Sequence, residues 1–199
     1  MNAVLAGLSG LISLLAFLPY FKDILHGRVV LARSGRLMYV VLLIFVLFQQ
    51  KSLGTGWSIV LTLSELIVCT IIFSLSFKYG VGGMSRLDLV CYLLLLMNLI
   101  IWKSTNNAFI GIHLSILGDA IASWPIIHKT FREPKSETPL FYWAGATASM
   151  LAIFAEENIA YSTIAFPLYL VLANAIIAGL TYRKCALITD NVANNAKQL

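Results

Sequence analysis

Hydrophobic residues run along this chain in long unbroken blocks separated by short polar breaks. Seven blocks stand out: Ala3–Leu25, Leu37–Gln49, Trp57–Phe77, Leu87–Trp102, Ala108–Ile127, Leu140–Phe154 and Tyr161–Tyr182. A helix that crosses a bilayer needs about 20 mostly apolar residues. The second, fourth and sixth blocks fall short, so each must take a turn from its polar flanks. The runs are continuous rather than alternating, which predicts helices, because a backbone in lipid must satisfy its own hydrogen bonds. Outer-membrane strands would show alternating segments of about 10 residues, and the sequence has none. The pattern predicts an all-α membrane protein of seven transmembrane helices.

Composition agrees. The chain is 59% hydrophobic and 12% charged, against about 45–50% and about 25% for soluble domains. No polar segment is long enough to form a separate aqueous domain. The first block lacks a basic leader, and Lys22 and Asp23 follow the apolar run, so it reads as a span and not as a signal peptide.

The charges then orient the spans. One side receives Lys22, Arg28, Arg33, Arg36, Lys78, Arg86, Lys129, Arg132, Lys135, Arg183, Lys184 and Lys197, and the other only Lys51 and Lys103, which together make up the 14 basic residues. Basic loops stay in the cytoplasm. The expectation is an N-terminus outside, a C-terminus inside, and Glu156 and Glu157 in an outer loop. Trp57, Trp102, Tyr161 and Tyr182 stand at span ends as interfacial anchors.

Several functions are excluded. No basic run interleaves with aromatics, so nucleic acid is not a partner. Cys69, Cys91 and Cys185 form an odd set without metal-ligand spacing and read as free thiols; neither a metal nor a cofactor is expected. HExxH, GxSxG and a phosphate loop are missing, and His113, His128 and Asp119 share no catalytic spacing, so the chain does not read as an enzyme. No lysine lies between Tyr161 and Tyr182, which argues against a retinal protein.

The spans repeat. The first and fifth align on Pro19 and Pro125, with Ala16 opposite Ala122. The second and sixth align as Leu37-Met38-Tyr39-Val40 on Leu140-Phe141-Tyr142-Trp143, and the third and seventh as Trp57-Ser58 on Tyr161-Ser162. Three matches in one order predict two like-oriented three-helix bundles, residues 1–80 and 105–185, joined by a linker helix in 81–104 and followed by a polar tail, 186–199. Such parallel repeats are related by an axis along the membrane normal.

The segment Ser123 to Tyr142, SWPIIHKTFREPKSETPLFY, resembles the second PQ-loop of the SWEET/PQ-loop superfamily through Pro125, Lys135, Ser136 and Glu137. Leu18-Pro19-Tyr20 through Arg33-Ser34 resembles the first, more loosely; Tyr20 and Ile126 stand where the motif has glutamine. The stretch Phe77-Lys78-Tyr79-Gly80-Val81-Gly82-Gly83 is similar to a widespread bacterial branch. The resemblance implies the 3+1+3 SWEET-like fold, a bacterial inner-membrane location, and a central cavity between the two repeats. Sugar-carrying members present asparagines from spans 3 and 7, where this chain has Ser64 and Leu168.

Ionisable residues inside spans are costly and mark function by default. Glu65 and Asp119 lie near mid-span. Ser58, Thr62, Glu65 and Cys69 share one helical face, as do Ser115, Asp119 and Ser123. Thr62, Glu65, Ser115, Asp119 and Ser123 from these faces, with Ser64, His113, Asn174, Trp124 and Trp143, are the candidate substrate-binding residues. Burial favours the neutral form of a carboxyl, which makes Glu65 and Asp119 candidates for proton coupling. The competing reading is that both, like Asn98 and Asn174, are interhelical glue. Pro19 and Pro125 are hinges or simple kinks, and the two tryptophans stack on a ring-shaped solute or merely pack.

The expected function is a small-solute transporter, for a sugar or other small polar metabolite, working by alternating access and coupled to protons. The alternative is a non-transporting SWEET-like receptor or assembly protein that binds a peptide in the same cavity. Expected partners are the solute and the lipid bilayer, and the sequence allows a homo-oligomer.

Overall fold

The computed structural model describes residues 1–29, 31–81, 86–105 and 107–183. The expected tail 186–199 lies outside them, with Gly82, Gly83, Lys184 and Cys185. So do the side chains of Cys91, Pro125, Lys129 and Ser136.

Among the described residues seven α-helices follow one another: α1 Asn2–Leu25, α2 Arg33–Ser52, α3 Ile59–Tyr79, α4 Arg86–Thr105, α5 Ala108–Arg132, α6 Pro139–Ala155 and α7 Tyr161–Leu180. Of these, α1, α2, α3, α5 and α7 are long and apolar enough to cross a bilayer, and α6 is shorter. The chain is an all-helical integral membrane protein.

The helices outrun their apolar blocks where polar residues find partners. Arg33 opens α2, and its guanidinium donates to the carbonyls of Ser76 and Phe77 at 3.5 and 3.4 Å while lying 4.8 Å over the Phe77 ring. Carbonyls in a last helical turn lack intrahelical donors and attract cations. Beside this contact Leu31–Ala32 pairs in parallel with Gly80–Val81. A Cβ at Gly80 would meet the Ser76 and Leu31 carbonyl oxygens at 2.5 and 2.8 Å, so only glycine allows that approach. The end of the bundle where α1 stops and α2 starts is called the basic end here, and the opposite end the Glu156 end.

In lipid, helices are not driven together by hydrophobicity, and small residues that let backbones close up take over. On α1, Leu11, Leu15 and Leu18 face outward while Ala6, Ser9, Gly10, Ser13 and Ala16 are buried. The buried stripe meets Ala148, Ser149, Ala152 and Ala155 of α6, which are buried too. Ser9 Oγ donates to the Ala148 carbonyl at 2.6 Å across this seam. On its other side α1 presses on α3, where a Cβ at Gly10 would lie 2.7 Å from Ser64 Oγ.

The packing closes a ring. α3 lies against α1 and α2, α7 lies against α5 and α6, and the two sets meet through α1 on α6 and α2 on α5. α4 packs outside the ring on α5 and α2. A buried polar triad fastens it there: Asn98 Nδ2 donates to Ser115 Oγ at 2.8 Å, Ser115 Oγ to Gln49 Oε1 at 2.8 Å, and Gln49 Nε2 to Asn98 Oδ1 at 3.4 Å.

Candidate functional site

Inside the ring lies a cavity of about 130 Å³, lined by residues of α1, α2, α3, α5, α6 and α7 and by none of α4. Helical spacing explains which side chains reach it. On α3, Glu65 and Cys69 are one turn apart, with Val68 and Ile72 beside them. On α5, Asp119 and Ser123 have the same spacing, and on α2 the stripe is Arg36, Tyr39 and Leu43. Asn174 enters from α7 and Ser13 from α1. On the α6 side Gly145 packs closely on Asn174; a Cβ there would sit 3.1 Å from the amide carbon.

The two carboxyl groups are held differently. Asp119 Oδ2 accepts from Tyr169 Oη at 2.6 Å and from Ser123 Oγ at 3.3 Å. Ser123 Oγ also shares a hydrogen bond with Tyr39 Oη at 3.1 Å. This chain ties α2, α5 and α7 at mid-bundle. Glu65, by contrast, is half-buried and makes no hydrogen bond among the described residues. Its carboxyl is the one acidic group of the cavity lining left to a guest.

Arg36 stands toward the basic end of the cavity. Its Nη2 donates to Tyr20 Oη at 2.8 Å, and the buried Tyr20 ring stacks on Phe141 with centroids 4.6 Å apart. Tyr142 Oη donates to Glu137 Oε2 at 2.9 Å. Thr138 Oγ1 donates to Asp23, which also pairs with Arg28 at 3.0 Å. These contacts tie α1, α2 and the start of α6 together at the basic end.

At the opposite end the loop after α6 reaches over to α3. The buried Glu156 carboxylate accepts the backbone N–H groups of Gly56 at 3.1 Å and Ser58 at 2.6 Å, a charge-assisted clasp on the positive end of a helix dipole. Trp57 Nε1 donates to Glu157 at 3.1 Å.

Of the residues proposed from the sequence, Glu65, Asp119, Ser123 and Asn174 line the cavity, and the other six lie elsewhere. Trp124 and Trp143 are 57% and 43% exposed on the outer surface of the bundle, because each follows a cavity residue by one position and so turns about 100° away. Ser64 is turned to Gly10 and donates to the Val60 carbonyl at 2.9 Å. Ser115 belongs to the α4 triad, and His113 bonds Tyr161 Oη through Nε2 at 2.9 Å. Thr62 is buried beyond the cavity on the Glu156 side. Pro19 lies inside α1, and Pro125 falls within the range of α5. Leu168 is 41% exposed on α7.

Arg36, Tyr39, Tyr142 and Ser13 are the polar cavity residues that the sequence reading missed. By sequence Arg36 reads as a topological charge, yet its spacing of three to Tyr39 and seven to Leu43 places it on their face.

The arrangement provides a cation, two carboxyls, an amide and several hydroxyls in one confined space. It suits a small solute that both donates and accepts hydrogen bonds. Comparisons with protein-family models, with curated proteins and with solved structures each return no match for this chain.

Proposed function

We propose that this protein is a small-solute membrane transporter, for a sugar or other small polar metabolite, that works by alternating access. The observation that carries this reading is the cavity between six helices, with Arg36, Asp119 and Asn174 in its lining and the Glu65 carboxyl unpartnered beside them. The ring of helices supports two three-helix halves with α4 as linker. Exchanging α1 with α5, α2 with α6 and α3 with α7 carries the α1–α6 seam onto the α2–α5 seam, as a two-fold axis along the membrane normal requires. Rocking of the halves about that axis opens the cavity to each side in turn, with Pro19 in α1, which removes a helical hydrogen bond, as a bending point beside Tyr20.

The basic end then faces the cytoplasm by the positive-inside rule, and the Glu156 end faces outward, in a bacterial inner membrane. Glu65, lacking a fixed partner, takes and releases the coupling proton, while Asp119 is bound to Tyr169 and Ser123. A cavity of about 130 Å³ favours a small solute over a peptide, and so the carrier over the receptor.

The test is counterflow in proteoliposomes with labelled sugars, amino acids and nucleosides at two pH values. A carrier accumulates at least one of them, and Glu65→Gln removes the pH dependence. A solute that the purified protein binds but never exchanges across the membrane contradicts transport.

A further inference from the structure

The groups that the central cavity leaves unpaired sort by charge along the bundle. Arg36, toward the basic end, is half-buried in the lining and forms no ion pair among the described residues. Its guanidinium commits one donor to Tyr20 Oη, while the buried Glu137 accepts from Tyr142 and stands outside the lining. A guanidinium is always charged and presents five donors in a planar fork. Inside a protein, a charge without a counter-ion is costly. The acceptors stand further out. Glu65 makes no hydrogen bond among the described residues, yet neither of its oxygens is sealed in by protein. Asp119 holds its two partners through Oδ2 alone. Between these ends the wall is aliphatic, with Leu43, Val68, Ile72 and Leu170.

We infer that the solute of this cavity is a small α-amino acid with an apolar side chain, held as its zwitterion. Its carboxylate lies on Arg36, which the guanidinium fork matches. Its ammonium lies on Glu65, with the charge of Asp119 beside it, and its side chain lies against the aliphatic wall. The length agrees. Gly118, the neighbour of Asp119, packs on Leu42, where a Cβ would meet Cδ1 at 3.6 Å. Leu42 lies six residues beyond Arg36, which is about 9 Å of helix rise. An α-amino acid measures about 3 Å from its nitrogen to its far oxygen. Hydrogen bonds of about 2.8 Å at both ends bring the span to about 9 Å. A sugar fits less well: it gives the guanidinium no counter-charge, and it presses hydroxyls on every side against an aliphatic wall that cannot bond them. As a transported solute the amino acid rests on the carrier reading, but as a ligand it does not.

The experiment titrates the purified full-length protein in lipid nanodiscs, by calorimetry, with L-alanine, L-valine, propionate, ethylamine and D-glucose. Propionate and ethylamine each keep one of the two charges of alanine. At least one of the amino acids binds at least about tenfold tighter than the other three compounds, a factor equal to about 1.4 kcal/mol, because a site built to pair a group rejects the analogue that lacks it. Arg36→Gln removes the advantage over ethylamine, and Glu65→Gln removes the advantage over propionate. The inference is overturned if neither amino acid binds, if glucose or a single-charge analogue binds as tightly, or if both variants keep both advantages. If a variant does not fold, the ligand series on the unaltered protein decides alone. Counterflow separates this inference from the carrier reading. An amino acid that binds selectively but never exchanges overturns the carrier alone, whereas exchange of glucose without amino-acid binding overturns the zwitterion alone.

Discussion

Gly111→Ala is the substitution whose cost follows most directly from the packing. A Cβ at this position in α5 would lie 2.8 Å from Gln49 Nε2, 3.0 Å from its Cδ and 3.2 Å from its Cγ. Gln49 is fully buried and bonded at both ends of its amide, to Asn98 and Ser115. Either α2 and α5 separate or the amide leaves the triad. Overpacking costs about 1–3 kcal/mol, and two interhelical hydrogen bonds add about 0.6 kcal/mol each. Even partial relaxation leaves a loss near 2 kcal/mol. Gly118, two turns on, is the control. Its Cβ would meet Leu42 at 3.6 Å and Leu95 at 3.9 Å, which is ordinary contact, so Gly118→Ala is neutral or stabilising through helix propensity. The assay is reversible unfolding in mixed micelles, run as a double-mutant cycle with Gln49→Ala. In the Gln49→Ala background the penalty of Gly111→Ala falls by more than half. A Gly111→Ala cost that is absent, or that is unchanged without Gln49, refutes the reasoning.

Other outcomes follow from the same contacts. Trp124→Leu and Trp143→Leu leave counterflow within about twofold of wild type, since both rings lie on the outer surface and changes away from packed features stay within about 0.5 kcal/mol. Gly10→Val forces α1 from α3, where Ser64 Oγ and Val60 Cγ1 lie 2.7 and 3.1 Å from its Cβ, and lowers stability by about 1–3 kcal/mol in the same unfolding assay. Tyr169→Phe removes one of the two donors on Asp119 Oδ2; counterflow slows while the protein stays folded, and the double variant with Asp119→Asn is less than additive because the pair acts as a unit.

Much of this was readable before the structure, for identifiable reasons. Each hydrophobic block became a helix, because continuous apolar runs leave a lipid-exposed backbone no other way to satisfy itself. The ends were less legible. Hydropathy stops at Leu37, but α2 begins at Arg33, since the guanidinium finds the last carbonyls of α3, a partner 43 residues away. Likewise α5 continues past Ile127 to Arg132, where composition turns polar but the helix does not break. Within the cavity Glu65 and Asp119 were visible as carboxyls on polar stripes. The same periodicity, applied one residue further, turns Ser64, Trp124 and Trp143 off those stripes. Arg36 is harder: charge at a span edge is ordinary topology, and its helical spacing to Tyr39 gains meaning only beside the bond to Tyr20. The clasp of Glu156 on the α3 N-terminus joins residues 98 apart in sequence, a pairing that no local pattern encodes.

The central claim is that a solute enters the cavity holding Glu65. Cys69, one turn from Glu65 and in the same lining, reports on this directly. In a Cys91→Ser, Cys185→Ser protein reconstituted in liposomes, the rate of Cys69 modification by a small methanethiosulfonate is measured with and without each solute that counterflows. The account predicts that Cys69 reacts, and that a transported solute slows the reaction at concentrations near its half-saturation. A thiol that is inert from both sides, or modification untouched by a solute that crosses, contradicts it.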